Sequence, residues 1–275
     1  MNTHTSGPVP EPVPVAASVA KAGPVEVTRV ADGQWQAREG ELLVGTADLA
    51  HRPGGRAFIS VDAWTDEAFD RLARVVPAEL PTPLHTVVDE ADHALIARWG
   101  RAGFLPGRRE GEYVVPTDPR ITGLGSAPVP RGVTIVPFGE AEDAPLRALD
   151  RAIRDEIAAA GGWHTMPAEV VPLPDGVTVV DPAKYAVAVL DGRYVGMLRI
   201  APVPRRPRIG VLAVRADVRR RGIGRALLAG ALGALHAAGV PDAWAEAQES
   251  QHAAVSLLEG VGARRVGGNV ELERR

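Results

Sequence analysis

The sequence predicts an α/β (α+β) protein in which a mixed, mostly antiparallel sheet flanked by helices is built twice along the chain. Three observations lead to this prediction. Strand-like and helix-like runs follow one another in a fixed order after residue 130, an internal repeat relates the two halves, and 275 residues with 45% hydrophobic side chains suffice for two cores.

Two proline-rich stretches divide the chain. Residues 1–24 hold five prolines among small residues, a composition that favours extended polyproline II and forms no packed core. Residues 116–130 again combine proline and glycine without helix or strand periodicity. We therefore expect a disordered tail over 1–24, domains over 25–119 and 130–275, and a linker at 120–129.

Periodicity predicts the elements of the C-terminal half in the order strand, helix, hairpin, strand, helix, strand, helix, strand. The hairpin is the clearest, because Asp191-Gly192 separates two strand-like runs and satisfies the positive φ angles of a type I′ turn. The predicted bounds are a strand over 132–138, a helix from Asp143, strands over 185–190, 193–200 and 208–214, a helix over 224–236, a strand over 243–247, a helix over 252–259 and a strand after Gly262.

A faint repeat links the two halves. Residues 90–94, Glu-Ala-Asp-His-Ala, precede Gly103 at the spacing by which residues 249–253, Glu-Ser-Gln-His-Ala, precede Gly262, and a strand-like run follows each glycine. This indicates duplication with a shorter first copy, although the matched residues are few and coincidence stays an alternative.

Composition excludes several classes of site. The chain has no cysteine and a net charge of −3, so disulfides, thiolate nucleophiles and bulk attraction to nucleic acid or anionic membrane are not expected. There is no signal-peptide pattern and no apolar run long enough to span a bilayer, so we expect a soluble, cytoplasmic protein. No His and carboxylate spacing indicates a metal site, and Asp155-Glu156 is expected on an exposed helix face.

A basic loop is the strongest functional signal. Eight arginines against one acid, Asp217, lie between Arg205 and Arg225, and Arg-Arg-Arg-Gly-Ile-Gly at 219–224 falls between a strand and a helix. Backbone N–H groups can converge there at the positive end of the helix dipole, and glycines let a pyrophosphate approach. Neither a Walker loop nor a dinucleotide fingerprint is present, and an exposed basic turn is the alternative interpretation.

This loop resembles the Gln/Arg-x-x-Gly-x-Gly/Ala signature of the GNAT superfamily of acetyltransferases, with Arg219, Gly222 and Gly224 at the matching positions. The resemblance covers residues 130–275, and the layout is similar to tandem GNAT proteins such as the mycothiol synthases. It implies acetyl-CoA along the preceding strand and in the loop. The implied cofactor-binding residues are Leu212, Ala213, Val214, Arg219, Arg220, Arg221, Gly222, Ile223, Gly224, Arg225, Ala226 and Gln251.

The catalytic groups are less clear. Where many relatives carry a tyrosine that protonates the sulfur, this chain has Leu258; a thiol with a reference pKa of about 8.5 can leave as thiolate. Glu246 and Glu249 are candidate bases, with a solvated strand edge as the alternative. His164, beside Trp163, is a candidate near the acceptor, with an ordinary loop histidine equally open.

The sequence therefore predicts transfer of the acetyl group of acetyl-CoA to an amine, a small molecule or a peptide amino group, by direct attack in a ternary complex. The alternative is an inactive acyl-CoA-binding regulator or scaffold. Nucleic-acid binding is disfavoured because no aromatic residue interrupts the arginines. The corresponding stretch of the first repeat, 62–67, is acidic and lacks glycine, so we expect one acetyl-CoA per chain and a first repeat that shapes the acceptor cleft.

Overall fold

The structure is a computed structural model that describes residues 23–52, 55–125, 128–159, 180–201 and 206–275. His164 and most of the predicted tail lie outside these residues. The strands of the described part are β1 Val25–Ala31, β2 Gln34–Glu39, β3 Leu42–His51, β4 Ala57–Ala63, β5 Leu84–Asp89, β6 Leu105–Pro116, β7 Val133–Val136, β8 Tyr185–Leu190, β9 Arg193–Ala201, β10 Arg208–Val214, β11 Asp242–Gln248 and β12 Arg264–Arg274. The helices are α1 Asp66–Ala78, α2 His93–Arg101, α3 Pro119–Thr122, α4 Asp143–Ala159, α5 Ile223–Ala237 and α6 His252–Glu259.

All twelve strands form one sheet in the order β1-β2-β3-β4-β5-β12-β6-β11-β10-β9-β8-β7. Each half of the chain gives its last strand to the other half: β6 pairs antiparallel with β11, and β12 pairs antiparallel with β5. β6 and β12 also pair with each other at the centre. The order is therefore symmetric about the β6–β12 pair, and the two halves share a continuous sheet.

Local chemistry accounts for the predicted elements. Asp191 and Gly192 both have positive φ, 50° and 73°, which confirms the hairpin turn between β8 and β9. Gly103 and Gly262, which end α2 and α6, also have positive φ, 91° and 78°. The internal repeat thus corresponds to matching helix–turn–strand units.

Alternating side chains assign the helices to two faces of the sheet. Ala186 and Ala188 of β8 pack in one cluster with α5 and α6, whereas Tyr185 and Val187 pack in another cluster with α4. Successive strand residues point to opposite faces, so α5 and α6 lie opposite α4. We call these the α5 face and the α4 face.

In the described part of the first half, the helix layer lies on the α5 face alone. Val270 of β12 packs in the core formed with α1 and α2 and pairs with Arg109 of β6. Arg109 and Tyr113 are four residues apart on β6, so their side chains point to the same face of the sheet. Tyr113 packs in the core with α5. Among the described elements α4 has no counterpart before β6. The predicted fold class is confirmed, and the shorter first copy lacks this helix.

The exchanged strands are buried in the cores of both halves. Val270 and Leu272 of β12 are fully buried among the residues of α1 and α2, and Tyr113 and Val115 of β6 are buried among those of α5 and α6. Each fully buried large apolar side chain contributes roughly 1.5–3 kcal/mol. The linker predicted at 120–129 therefore lies between two segments, each of which contributes a strand to the core of the other.

Candidate functional site

A gap opens between β10 and β11. These strands run parallel but pair only at Arg208↔Trp244 and Ile209↔Ala245, while β10 continues against β9 as far as Val214 after a bulge beyond Ile209. From residue 211 onward the β11-facing edge of β10 has no strand partner among the described residues. Residues 211–214 are half-buried, as expected for a strand that lines an open groove.

A loop with unusual backbone geometry connects β10 to α5. Arg220 and Gly222 both have positive φ, 66° and 84°, and Arg220 is one of two non-glycine residues with this geometry in the described chain. Such conformations cost energy and concentrate at functional sites. A turn of this kind directs successive N–H groups to one side, which suits an anion.

The N-terminus of α5 is open to a ligand. Gly222 is the N-cap and provides no side-chain hydrogen bond, and the first helical bond runs from the Ala226 N–H to the Gly222 carbonyl. The N–H groups of residues 222–225 precede that bond. A Cβ at Gly224 would approach nothing nearer than Val214, at 3.8 Å. These residues fit a pyrophosphate, because within the described part of the chain their N–H groups have no hydrogen-bond partner and no side chain lies in front of Gly224.

The matching helix end in the first half is closed. Thr65 caps α1 by accepting a hydrogen bond from the Ala68 N–H at 3.2 Å, and Asp66 and Glu67 occupy the first turn. A side chain thus takes one of the donors, and two carboxylates repel an anion. The start of α1 therefore differs from that of α5 in both its capping and its charge.

The structure divides the predicted arginine cluster. Arg206 stacks on Trp244, with its guanidinium 4.9 Å from the ring centre, and Arg208 pairs with Glu246 at 3.0 Å. The guanidinium of Arg219 is turned towards the strand, where its Nε donates to the Val214 carbonyl at 2.9 Å. Arg220, Arg221 and Arg225, near the start of α5, are exposed.

Glu156 organises the base of this loop. Its carboxylate accepts hydrogen bonds from the Arg215 Nε at 3.1 Å and the Ala216 N–H at 2.9 Å, and the Arg219 guanidinium lies 3.4 Å away. Asp155 is exposed, as predicted. The prediction of an exposed position was wrong for Glu156, whose side chain is 22% exposed. The signal in the sequence was its spacing from Ile153, because residues three apart share a helix face.

The other predicted site residues occupy different positions around the gap. Glu246 lies one residue beyond the last β10–β11 pair, whereas Glu249 lies past the end of β11 and pairs with Arg265 at 2.9 Å. Gln251 is the N-cap of α6. Leu258 is 7% exposed and packs in the α5-face core, so this position provides packing without an acid.

Strand exchange adds two carboxylates that the sequence analysis missed. Glu112 and Glu110 of β6 pair with Glu246 and Gln248 of β11. All four alternate with residues that pack on the α5 face, such as Tyr113 and Ala247, so they point to the α4 face. Burial raises the pKa of the Glu110 carboxyl; Arg108 opposes this effect and Glu246 adds to it. The alternation of charged residues at 108, 110 and 112 was the available signal, but it did not reveal which strand would lie alongside.

The described residues contain no group of three His, Cys, Asp or Glu side chains arranged to hold a metal ion. In the same part of the chain, no helix is both long enough and apolar enough to cross a bilayer.

Comparison with known proteins now adds to this geometry. Residues 153–263 match the model of the acetyltransferase (GNAT) family, a segment that runs from α4 through the gap and the loop to the end of α6. No curated protein sequence matches the chain significantly.

Solved structures share the fold over most of the chain. A GCN5-related N-acetyltransferase from Sphaerobacter thermophilus superposes with a TM-score of 0.59 at 17% identity, covering 90% of this chain and 82% of its own. A tandem GNAT protein from the clavulanic acid biosynthesis pathway gives 0.58 at 17% identity, covering 87% and 81%. A GNAT-family acetyltransferase from Colwellia psychrerythraea gives 0.56 at 11% identity, covering 88% and 85%. Residues 153–263 therefore resemble the acetyltransferases of the GNAT family, the chain shares the fold of GNAT proteins over most of its length, and this likeness classes it with the acyltransferases.

Proposed function

We propose that the chain is an N-acetyltransferase that binds one acetyl-CoA in its C-terminal half and passes the acetyl group directly to an amine. The observation that carries this proposal is the open N-terminus of α5 beside the gap between β10 and β11. The N–H groups of 222–225, with Arg220, Arg221 and Arg225, would hold the pyrophosphate. The unpaired edge of Leu212–Val214 would hold the pantetheine arm.

The reaction needs two contributions from the chain, a hydrogen-bond donor for the carbonyl oxygen and a base. The amine nitrogen attacks the thioester carbonyl carbon, a C–N bond forms, the C–S bond breaks, and the sulfur leaves as thiolate or thiol. A backbone N–H near Leu212 or Ala213 would stabilise the oxygen as it becomes negative. A base must take the proton that the attacking nitrogen loses.

Among the candidate bases, position favours Glu246. It lies where the gap begins, whereas Glu249 is held by Arg265 beyond the strand. Its carboxylate pairs with Arg208 at 3.0 Å. His164 stays a prediction outside the described residues.

The first half of the chain would act without its own cofactor. Its helix end is capped and acidic, yet it contributes β6 to the sheet next to β11. We therefore propose that residues 25–119 complete and support the acceptor side of a site whose cofactor side belongs to residues 130–275.

A thermal-shift titration with acetyl-CoA and with CoA tests this function, because a ligand that binds the folded state raises its melting temperature. The variant Gly224→Asp places a carboxylate in the first turn of α5, which helices tolerate well, directly where the pyrophosphate would bind. Gly233→Asp makes the same change at an exposed position of the same helix with nothing within 4 Å of the new Cβ.

The expected result is a shift in the wild type and in Gly233→Asp that is lost in Gly224→Asp. No shift in a folded wild type at saturating acetyl-CoA would overturn the proposal. Release of free thiol with an amine acceptor then distinguishes an enzyme from a protein that only binds acyl-CoA.

A further inference from the structure

A row of polar side chains crosses the central strands on the α4 face. The cross-strand pairs Glu246↔Glu112 and Gln248↔Glu110 join β11 to β6. Side chains directly opposite each other on antiparallel strands have Cβ atoms about 4.5–5.5 Å apart. Two carboxylates from different halves of the chain therefore lie side by side, with a third carboxylate and an amide next to them.

The charges of this row are only partly balanced by the residues around it. Glu246 pairs with Arg208, and Glu110 pairs with Arg108. Glu112, in contrast, accepts a hydrogen bond at 3.1 Å from the neutral side-chain amide of Asn269. Like charges directly opposite each other on neighbouring strands destabilise a sheet, so the Glu112–Glu246 pair favours a cation between them.

Gln248 provides an independent indication of a ligand. The residue is 8% exposed, and in the described part of the chain its side-chain oxygen Oε1 is buried with no hydrogen-bond partner. A buried acceptor left without a donor is costly, and native proteins rarely keep one without a reason. An N–H donor from a bound molecule would satisfy it.

The row begins at the gap where acetyl-CoA is proposed to bind. Glu246 follows Ala245, the last residue of β11 that pairs with β10. Val211 and Ala213 of β10, which border the gap, pack towards α4 and therefore lie on the same face as the row. A molecule bound along the row thus reaches the gap from the α4 side.

We propose that the acceptor is a cationic alkylamine, of the diamine or polyamine class, whose reacting nitrogen approaches Glu246 at the gap while its second, non-reacting ammonium group is bound by Glu112, with the Gln248 Oε1 as a further acceptor. The exchanged strand β6 thereby makes the first half of the chain part of the acceptor site. This inference rests on the proposed function. An acceptor with a carboxylate near its amine is excluded, because that carboxylate would face Glu112 and Glu246.

The test uses 1,4-diaminobutane and spermidine as cationic probes and 4-aminobutyrate as the probe of matched length with a carboxylate. Thiol release at saturating acetyl-CoA gives kcat and KM for each. We expect kcat/KM for the better cationic probe to exceed that for 4-aminobutyrate by about 10- to 100-fold, the range for one charge-assisted hydrogen bond.

The key variant is Glu112→Gln, which keeps the length and a hydrogen-bonding group but removes the charge. We expect KM for the cationic probe to rise about tenfold, with kcat within about twofold and an unchanged thermal shift by acetyl-CoA, since Glu112 acts on the acceptor alone. Glu26→Gln makes the same substitution on an exposed residue of the edge strand β1 and should leave KM unchanged.

Three outcomes overturn the inference while acetyl-CoA still shifts the melting temperature of the wild type. The first is turnover of 4-aminobutyrate equal to that of the cationic probes, and the second is no turnover of either cation. The third is a KM that Glu112→Gln leaves unchanged. Loss of the acetyl-CoA shift in the wild type would instead overturn the proposed function itself.

Discussion

The two glycines of the loop allow backbone strain to be separated from ligand binding. Gly222 has φ +84°, whereas Gly224 sits in the first turn of α5 and has no positive φ. The perturbation is a single methyl group at either position, Gly222→Ala or Gly224→Ala. Opposite signs are expected for the change in the free energy of unfolding.

The magnitudes follow from the backbone. An L-residue in the left-handed region costs about 1–2 kcal/mol, partly offset by about 0.4–1 kcal/mol because alanine restricts the unfolded chain. The new Cβ of Gly222→Ala meets only Pro130, at 3.4 Å. Gly222→Ala should therefore lose about 1 kcal/mol. Gly224→Ala should gain up to about 1 kcal/mol from helix propensity.

Thermal unfolding without ligand measures this difference. About 2–4 °C per kcal/mol applies to domains of this size, so the two variants should differ by about 4–8 °C, with the wild type between them. Equal shifts in the same direction would refute the assignment of the two backbone conformations.

Ligand binding should not follow stability. Cβ atoms of a helix point towards its N-terminus, so the carboxylate of Gly224→Asp projects towards the proposed pyrophosphate, whereas Gly224→Ala adds only a methyl group that the GNAT signature admits at this position. The more stable variant Gly224→Ala should therefore keep the melting-temperature rise of the wild type with acetyl-CoA, and Gly224→Asp should lose it. Equal rises in these two variants would mean that the pyrophosphate does not approach this turn.

Three further predictions concern the supporting structure. Glu156→Gln should lower stability by about 1–2 kcal/mol because the charged hydrogen bonds to the loop are lost, whereas exposed Asp155→Asn should stay within about 0.5 kcal/mol; equal effects in chemical denaturation would contradict the role of Glu156. Burial, with a further contribution from Arg56, lowers the pKa of His85 in the folded chain. As pH falls below about 6.5, the unfolded chain thus binds the proton first and the wild type loses stability. His85→Asn keeps an acceptor for Arg56 and should flatten the melting temperature between about pH 7.5 and about pH 5.5; an unchanged slope would argue against it. Leu272→Ala, in the exchanged strand β12, should cost about 2–5 kcal/mol in urea unfolding, and a cost under about 1 kcal/mol would show that β12 does not support the core of the first half.

Short-range patterns in the sequence determined the local structure and the cofactor loop. The bounds of β10 and α6 agree with the predicted 208–214 and 252–259, and the Asp191-Gly192 turn has the expected positive φ angles. These features depend on residues within a few positions of one another, namely side-chain periodicity and the conformational freedom of glycine. The glycines and arginines of 219–225 likewise belong to one continuous segment.

Only the tertiary structure decided which distant segments meet. The pairing of Glu112 with Glu246, the contact of Glu156 with the loop, and the exchange of β6 and β12 join residues far apart in the chain. The β-strand pattern tells which side chains share a face but not which strand lies alongside, because any exposed edge can hydrogen-bond to any other. The cofactor side of the site could therefore be predicted from one segment, whereas the acceptor side exists only because two halves of the chain exchange their last strands.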